Sequence, residues 1–226
     1  VAVGAFFNGN EFCYPININF EHKKMFPGNI GPSTGEMGTS MFWSGPNKIF
    51  NQTLKKMEDI LRREKYTGYI DLNCIVNGNG IYPLEFTARF GYPTIQIQMD
   101  GILMPIGQWL YEMATGTLKN FKTKTGFQVG VRLVVPPYPY GSSIKTELAE
   151  YKDALIIFKK PSLEGIHIVE TKLINGEWIV TGDHGVALIV VGTGSTMKQA
   201  QQQVYHRIEN ILIPNMFYRD DIGDRW

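Results

Sequence analysis

Residues 69–92 read Tyr-Ile-Asp-Leu-Asn-Cys-Ile-Val-Asn-Gly-Asn-Gly-Ile-Tyr-Pro-Leu-Glu-Phe-Thr-Ala-Arg-Phe-Gly-Tyr. The first part, 69–76, is mostly β-branched, aromatic or aliphatic, and 81–89 is a second run of the same kind, so both predict strands. The Asn-Gly-Asn-Gly sequence at 77–80 tolerates the positive φ angles that a tight turn between two strands requires. The stretch therefore predicts a β-hairpin.

Polar side chains gather on one face of this predicted hairpin, because side chains alternate between the two faces of a strand. Asp71 lies in the first strand, and Glu85, Thr87 and Arg89 share a face of the second. Each acidic residue taken singly is most simply part of a solvated sheet face. Two carboxylates on facing strands repel each other unless a cation separates them, and Mg²⁺ prefers such oxygen ligands. The hairpin is therefore a candidate metal and phosphate site.

Composition predicts a soluble globular protein with one large or two small domains, since the chain has 226 residues, 43% of them hydrophobic and 19% charged. A net charge of +1 gives no argument for a nucleic acid or a membrane surface as partner. Cys13 and Cys74 lie in apolar runs without pair spacing, which predicts reduced, buried thiols and a cytoplasmic location. The chain begins in a strand-like run without Met, which predicts a piece of a longer protein.

A glycine-rich stretch follows a cluster of basic residues near the start of the chain. Residues 31–38 read Gly-Pro-Ser-Thr-Gly-Glu-Met-Gly, and residues 21–24 read Glu-His-Lys-Lys. We predict a loop at 31–38, because this glycine content disfavours a regular element and lets successive backbone N–H groups turn toward an anion. A flexible surface loop without a ligand is the alternative, and the Gly-Lys-Ser/Thr ending of a P-loop is absent.

The remaining pattern predicts an α+β protein in two parts. Apolar residues at three- and four-residue steps predict helices, and short apolar runs bounded by turn residues predict strands. The predicted helices are 48–64, 100–118 and 198–212, and the further predicted strands are 1–7, 11–20, 127–135, 155–158, 165–173, 178–181 and 186–192. A polar, Lys-rich connection at 115–126 predicts the division of the chain into domains 1–120 and 127–226.

Four motifs in this order resemble those of the phosphoribosylamine–glycine ligase family. They are Glu-His-Lys-Lys at 21–24, the glycine-rich stretch at 31–38, Leu-Glu-Phe-Thr-Ala-Arg-Phe-Gly at 84–91 and Tyr-Arg-Asp-Asp-Ile-Gly at 218–223. The motifs of the family read Asp-His-Lys-Arg, Gly-Pro-Asn-Thr-Gly-Gly-Met-Gly, Glu-Phe-Asn-x-Arg-Phe-Gly-Asp-Pro-Glu and Arg-x-Asp-Ile-Gly. The resemblance spans essentially the whole chain.

The resemblance implies an ATP-grasp fold. Residues 1–120 would be its second lobe, mainly an antiparallel sheet with helices, and 127–226 a small mixed α/β carboxy-terminal domain. The implied activity is that of an ATP-dependent carboxylate–amine ligase of purine synthesis, which acts through an acyl phosphate and uses ATP and Mg²⁺ (or Mn²⁺). Glycine and phosphoribosylamine would be the substrates. The amino-terminal domains of the family would lie in the same polypeptide or on a separate chain.

Carried over residue by residue, the resemblance assigns roles to three groups of residues. The metal ligands would be Glu85, Thr87 and Asp71, and the catalytic cations would be Arg89 and Lys23. The residues that bind ATP, phosphate or substrate would be His22, Lys23, Gly31, Pro32, Ser33, Thr34, Gly35, Gly38 and Arg89.

Several positions depart from the family pattern. Thr87 stands where the family has an Asn ligand, Tyr-Pro-Thr at 92–94 replaces Asp-Pro-Glu, and Glu36 replaces a glycine. Asp71 adds an acid where glycine ligases usually have none, although other ATP-grasp enzymes such as D-alanine–D-alanine ligase carry an Asp ligand in a similar context. These departures favour two alternatives: a degenerate ATP-grasp module that binds nucleotide or a partner without catalysis, and a ligase with another acid and amine. An unrelated α+β binding protein is a third interpretation.

Overall fold

The protein, analysed as a computed structural model, is described for residues 1–141 and 153–226. It divides into two compact units, which we treat separately. Unit 1 comprises Val1–Glu21 and Ser40–Phe127, and unit 2 comprises His22–Thr39 and Gln128–Trp226. Antiparallel strands and short helices make up both, which confirms the predicted α+β class. The domain ranges 1–120 and 127–226 stay a prediction, and the second includes residues 142–152, which lie outside the described residues.

Unit 1 is built on strands that pair antiparallel with their neighbours. They are β1 (Ala2–Asn8), β2 (Phe12–Phe26, which continues into unit 2), β4 (Thr67–Asn77) and β5 (Gly80–Thr87), and the pairs are β1 with β2, β1 with β4, and β4 with β5. At the tip of the β4–β5 hairpin the side-chain oxygen of Asn77 accepts the N–H groups of Asn79 and Gly80. The hairpin predicted from the sequence is confirmed.

One face of these strands carries an apolar core. Buried side chains of β1, β2 and β4 pack there with Phe50, Leu54 and Leu61, which come from α1 (Lys48–Gln52), a 3₁₀ turn (Leu54–Met57) and α2 (Glu58–Arg63). The single helix predicted over 48–64 is therefore wrong. It breaks at Thr53, whose hydroxyl donates to the Ile49 carbonyl at 2.6 Å and competes with the backbone ladder.

The predicted helix 100–118 is replaced by two shorter helices, α3 (Thr94–Gly101) and α4 (Ile106–Ala114). Pro105 precedes the first residue of α4, because proline suits the start of a helix and cannot continue one. Trp109 of α4 is fully buried against Phe6 of β1, with the rings edge to face at 4.5 Å between centroids. This aromatic cluster closes one end of the face of β1 and β4 that lies opposite the apolar core.

Unit 2 contains β3 (Ile30–Ser44, which continues into unit 1), β6 (Phe127–Val134), β8 (Ile166–Ile168) and β11 (Val186–Gly194), with β8 antiparallel to β11. A smaller sheet has the order β12-β7-β10-β9, formed by β7 (Leu155–Phe158), β9 (Thr171–Ile174), β10 (Glu177–Val180) and β12 (Ile211–Leu212). Helix α5 (Met197–Ile208) begins after Thr196, whose hydroxyl accepts the Gln199 N–H. The strand predicted at 165–173 is split into β8 and β9.

The glycine-rich stretch at 31–38 is part of strand β3, so the predicted loop is wrong. Only Gly31 in this stretch has a positive φ, of 84°, and one residue, Ile30, separates it from a 3₁₀ turn at Pro27–Asn29. At Gly38 a side chain would lie 2.7 Å from the Gly130 carbonyl and 2.8 Å from Ile222. The stretch is extended because its strand neighbours supply the hydrogen bonds, and Gly38 serves close packing.

Both cysteines are buried and form no disulfide, as predicted, and burial raises the pKa of the Cys13 thiol to about 12. Over the described ranges, the helices are too short or too polar for any of them to cross a membrane.

Candidate functional site

The polar face of the β4–β5 hairpin brings together the predicted metal ligands of unit 1. In the strand register Asp71 lies opposite Thr87, and Asn73 lies opposite Glu85. Directly opposed residues project to the same side of a sheet, so these four side chains share one face. Asp71 is buried, Thr87 is half-buried and Glu85 is exposed. The expectation that Asp71 lies near Thr87 and Glu85 therefore holds for the backbone register.

The same polar face continues across β1 onto β2. Gly4 of β1 lies opposite Asp71 on one side and opposite Asn17 on the other. Ala2 is related in the same way to Asn73 and to Asn19 of β2. At these two positions β1 contributes only small residues, so it forms a low floor between polar side chains of β4 and β2.

A buried hydrogen-bond network crosses this floor. The Tyr69 hydroxyl lies 3.1 Å from Oδ1 of Asn17 and 3.3 Å from Oδ2 of Asp71. Nε2 of Gln98, on α3, donates to the same Asn17 oxygen at 3.1 Å. All four side chains are at most 3% exposed. Of these four residues, the sequence patterns mark only Asp71 as a candidate site residue.

The pKa of Asp71 is raised from 3.8 to about 7, mainly by burial and further by the nearby Glu21 carboxylate, while hydrogen bonding to Tyr69 and Thr87 and the charge of Arg89 act in the lowering direction. The hydrogen-bond count agrees with this direction. The Tyr69 hydroxyl has a single proton, which cannot serve both Asn17 and an ionised Asp71. A protonated Asp71 can donate to Tyr69 while Tyr69 donates to Asn17, which satisfies both contacts.

The donor set on this face fits a hard divalent cation. The described residues contain no cluster of three or more His, Cys, Asp or Glu side chains that could hold a metal. Mg²⁺, however, is usually bound by one or two carboxylates together with waters and substrate phosphates. Asp71 and Glu85 supply two carboxylates on one face, and Oδ1 of Asp71 is buried without a hydrogen-bond partner among the described residues. A cation would satisfy that oxygen.

Arg89 follows β5 and is exposed, with Nη1 donating to the Phe90 carbonyl at 2.9 Å. Its positive charge is close enough to lower the pKa of Asp71. The structure therefore places Arg89, the side chain predicted to supply positive charge, close to Asp71, one of the predicted metal ligands of unit 1.

The other predicted site residues belong to unit 2. Lys23 has an exposed side chain, and its carbonyl accepts the Thr34 hydroxyl at 2.8 Å, which ties β2 to β3. His22 is only 2% exposed. The predicted phosphate-binding residues Gly31, Pro32, Ser33, Thr34, Gly35 and Gly38 lie in strand β3. An anion-binding loop at these positions is therefore not present in the form that the sequence predicted.

Two of the four sequence motifs, those at 21–24 and 218–223, are joined inside unit 2 by Arg219, which is fully buried. Its guanidinium forms two hydrogen bonds to Asp221, at 2.7 and 2.6 Å, and also bonds the Lys24 carbonyl and Oδ1 of Asn29. The N–H of Gly28 donates to Asp221 at 2.9 Å. Partial burial alone would raise the pKa of Asp221, but the bonds from Arg219 and Gly28 outweigh it and lower the pKa. The motif residues therefore clamp the turn between β2 and β3.

His22 should make unit 2 sensitive to acid. Burial, together with the charges of Arg219 and Arg225, lowers the pKa of His22 from 6.5 to about 4. Between pH 4 and 6.5 the unfolded chain therefore binds a proton at His22 that the folded chain does not bind. The contribution of His22 to the free energy of unfolding is complete above pH 6.5 and is lost as the pH falls toward 4. The expected loss is about 3 kcal/mol.

Urea unfolding of the wild type and of His22→Gln between pH 4.5 and 7.5 measures this contribution. The difference in unfolding free energy between them should change across that range. His206→Gln, at an exposed histidine of α5, is the matched control and should follow the wild type. Parallel pH profiles for His22→Gln and the wild type would contradict the assignment.

Sequence reasoning missed Asn17, Tyr69 and Gln98. Asn17 and Asn19 alternate with isoleucines in the run Ile-Asn-Ile-Asn at 16–19, which is the signal of one polar face on an otherwise apolar strand. No comparable signal marks Tyr69 or Gln98, because their contacts connect strands and a helix that are far apart in the chain.

Comparison with solved structures defines the class of fold. A phosphoribosylamine–glycine ligase from Thermotoga maritima matches 98% of this chain with a TM-score of 0.74 and 24% identity, over 55% of its own length. The biotin carboxylase subunit of pyruvate carboxylase matches 94% of the chain, and 46% of itself, with a TM-score of 0.53 and 12% identity. The protein has the ATP-grasp type of α+β fold.

Sequence comparison finds similarity to one family of enzymes. Residues 128–225 match the family model described as phosphoribosylglycinamide synthetase, C domain. The phosphoribosylamine–glycine ligase of Leptospira interrogans is 30% identical over 222 residues, which cover 91% of this chain and 49% of that protein. That of Lactococcus lactis is 26% identical over 243 residues, covering 100% and 57%. The chain is a relative of the phosphoribosylamine–glycine ligases and corresponds to the carboxy-terminal part of that family. It spans about half the length of the curated relatives it matches.

Proposed function

We propose that the chain is part of an ATP-dependent carboxylate–amine ligase that acts through an acyl phosphate. The observation that supports the proposal is the β4–β5 register, in which the oxygen-bearing side chains of Asp71, Glu85 and Thr87 share one face, in a chain whose relatives are ligases. Glycine and phosphoribosylamine are the substrates that the names of the relatives suggest. The complete protein would supply the domains that these residues alone do not form.

Glu85 and Asp71 hold Mg²⁺ in this proposal, and Thr87 adds a weaker neutral oxygen. The cation, when bound with ATP, neutralises charge on the phosphate oxygens. Arg89 stabilises the transferring phosphoryl group through its positive charge. The phosphate-binding role proposed for Lys23 and for the predicted residues of 31–38 rests only on the resemblance to the family motifs.

The reaction proceeds in two displacements. A substrate carboxylate oxygen attacks the γ-phosphorus, and the bond from that phosphorus to the oxygen of ADP breaks. The amine nitrogen then attacks the acyl carbon, the bond to phosphate breaks, and the nitrogen releases its proton to solvent. Both steps depend on holding the reactants in line, which is the main contribution of a preorganised phosphate site.

Glu85→Gln tests the proposal, since it keeps the size of an exposed side chain and removes its charge. In the complete protein with Mg·ATP, acid and amine, ADP release should fall by roughly 100-fold or more. Glu64→Gln makes the same chemical change at another exposed site, where the carboxylate pairs with Arg63, and should leave the rate unchanged. An unchanged rate in Glu85→Gln would remove Glu85 from the metal site.

A module that binds nucleotide or a partner without catalysis is the second candidate function. Thr87 in the place of an amide ligand and the buried position of Asp71 favour it. Calorimetry that detects Mg-dependent ATP binding, combined with no ADP release across a panel of acids and amines, would support this second function. Release of ADP with an acid and amine other than glycine and phosphoribosylamine would instead show a ligase of different specificity.

A further inference from the structure

We infer that Tyr69 is a positioning residue, which orients the Asp71 carboxylate toward the bound cation through a hydroxyl that is itself fixed by Asn17 and Gln98. The inference rests on the proposed function, because it assumes that Asp71 binds the metal. It adds three residues that neither the sequence motifs nor the comparisons assign to the site.

The position of the Tyr69 hydroxyl depends on the absence of a side chain at Gly4. A Cβ atom there would overlap the hydroxyl and lie 2.8 Å from Oδ1 of Asn17. Gly4 lies between Asp71 and Asn17 in the sheet, so its empty side is the space through which Tyr69 reaches both. The φ of Gly4 is not in the positive range, so no backbone conformation calls for glycine at this point.

Asn17 and Gln98 fix the hydroxyl from the other side. Oδ1 of Asn17 accepts from both the Tyr69 hydroxyl and Nε2 of Gln98, each at 3.1 Å. Two donors on one amide oxygen define which way the amide faces, and an amide with a defined orientation holds its partner more firmly. The hydroxyl is therefore held at a defined place before any ligand binds.

The consequence for Asp71 is that its two oxygens differ. Oδ2 lies 3.3 Å from the Tyr69 hydroxyl, and Oδ1 is buried without a hydrogen-bond partner among the described residues. A carboxylate that binds a cation is ionised and only accepts, so in the cation-bound state the single Tyr69 proton turns to Oδ2, and Nε2 of Gln98 remains as the donor to Asn17. Oδ1 is therefore the oxygen presented to a cation. Outer hydrogen bonds of this kind orient metal-binding carboxylates, and their removal typically costs 10–100-fold in metal affinity.

A purely structural role for Tyr69 makes a different prediction. Its ring packs against Phe6, with 4.9 Å between ring centroids, and the residue is 1% exposed. Tyr69→Phe keeps this ring and removes only the hydroxyl. A structural role would change the melting temperature alone, whereas a positioning role also changes the affinity for the metal.

The test is a titration of Mn²⁺ into the complete protein with a non-hydrolysable ATP analogue, with free Mn²⁺ measured by electron paramagnetic resonance. Tyr69→Phe should raise the Kd for Mn²⁺ by about 10-fold or more. Tyr66→Phe removes another hydroxyl, which donates to the Tyr69 carbonyl, and should stay within about twofold of the wild type. Gly4→Ala should reproduce the effect of Tyr69→Phe with Tyr69 in place, and if it does not fold, Tyr69→Phe decides.

The outcomes separate this inference from the proposed function. A Kd within twofold of the wild type in Tyr69→Phe, combined with a raised Kd in Asp71→Asn, overturns the positioning role and leaves the metal site standing. An unchanged Kd in both variants, with a raised Kd in Glu85→Gln, overturns the inference by removing Asp71 from the site. No Mn²⁺ binding by the wild type would refute the proposed function itself.

Discussion

Replacing Arg219 by alanine should lower the free energy of unfolding by about 3–5 kcal/mol. The side chain is fully buried, and its guanidinium is paired with Asp221 and with oxygens of Lys24 and Asn29. Removing the guanidinium leaves a partly buried carboxylate and two oxygens without their donor. No hydrogen bond from Arg219 then compensates for the desolvation of these groups. Urea unfolding followed by circular dichroism measures the change.

The control for this prediction is Arg225→Ala, because Arg225 is an exposed arginine of the same segment. It should change the unfolding free energy by less than about 0.5 kcal/mol. If the loss in Arg219→Ala comes from the unpaired Asp221, then Arg219→Met combined with Asp221→Leu should be more stable than Arg219→Met alone. A loss below about 1 kcal/mol in Arg219→Ala would show that the clamp contributes little.

Asp71→Asn should stabilise the cation-free protein at pH 8 relative to the wild type. The folded pKa of Asp71 is raised from 3.8 to about 7, mainly by burial, so the folded chain keeps a proton that the unfolded chain has released. Stability is therefore lost as the pH rises from 4 to 7, and the loss is complete above the folded pKa. This loss in the free energy of unfolding amounts to at most about 4 kcal/mol. The asparagine variant should not show it, because asparagine does not ionise.

Chemical unfolding of both proteins in EDTA from pH 5 to 8 checks this. His22 acts in an overlapping pH range with the opposite sign, so the wild-type curve alone would show partial cancellation, and the difference between variant and wild type is the quantity to follow. Glu85→Gln, at an exposed carboxylate of the same face, should follow the wild type. A constant difference between Asp71→Asn and the wild type across this range would mean that Asp71 is ionised throughout.

Local patterns predicted the hairpin correctly and the glycine-rich stretch wrongly for a common reason. Alternation of side chains and an Asn-Gly turn are properties of neighbouring residues, so the β4–β5 pairing could be predicted. The extended conformation of 31–38 depends on neighbouring strands, and on the close approach of Gly38 to Gly130. Glycine content alone does not distinguish a loop from a strand that is packed this tightly.

The sequence by itself determined the fold class, the family motifs and the face of the hairpin on which Asp71, Glu85 and Thr87 lie, because each depends on residue type and short spacing. The tertiary structure alone decided that Asp71 is buried beneath Tyr69 and that Arg219 holds the turn between β2 and β3. Those contacts join residues separated by long stretches of chain, or depend on burial by other elements. Their energies come from desolvation, which no local pattern of residues records.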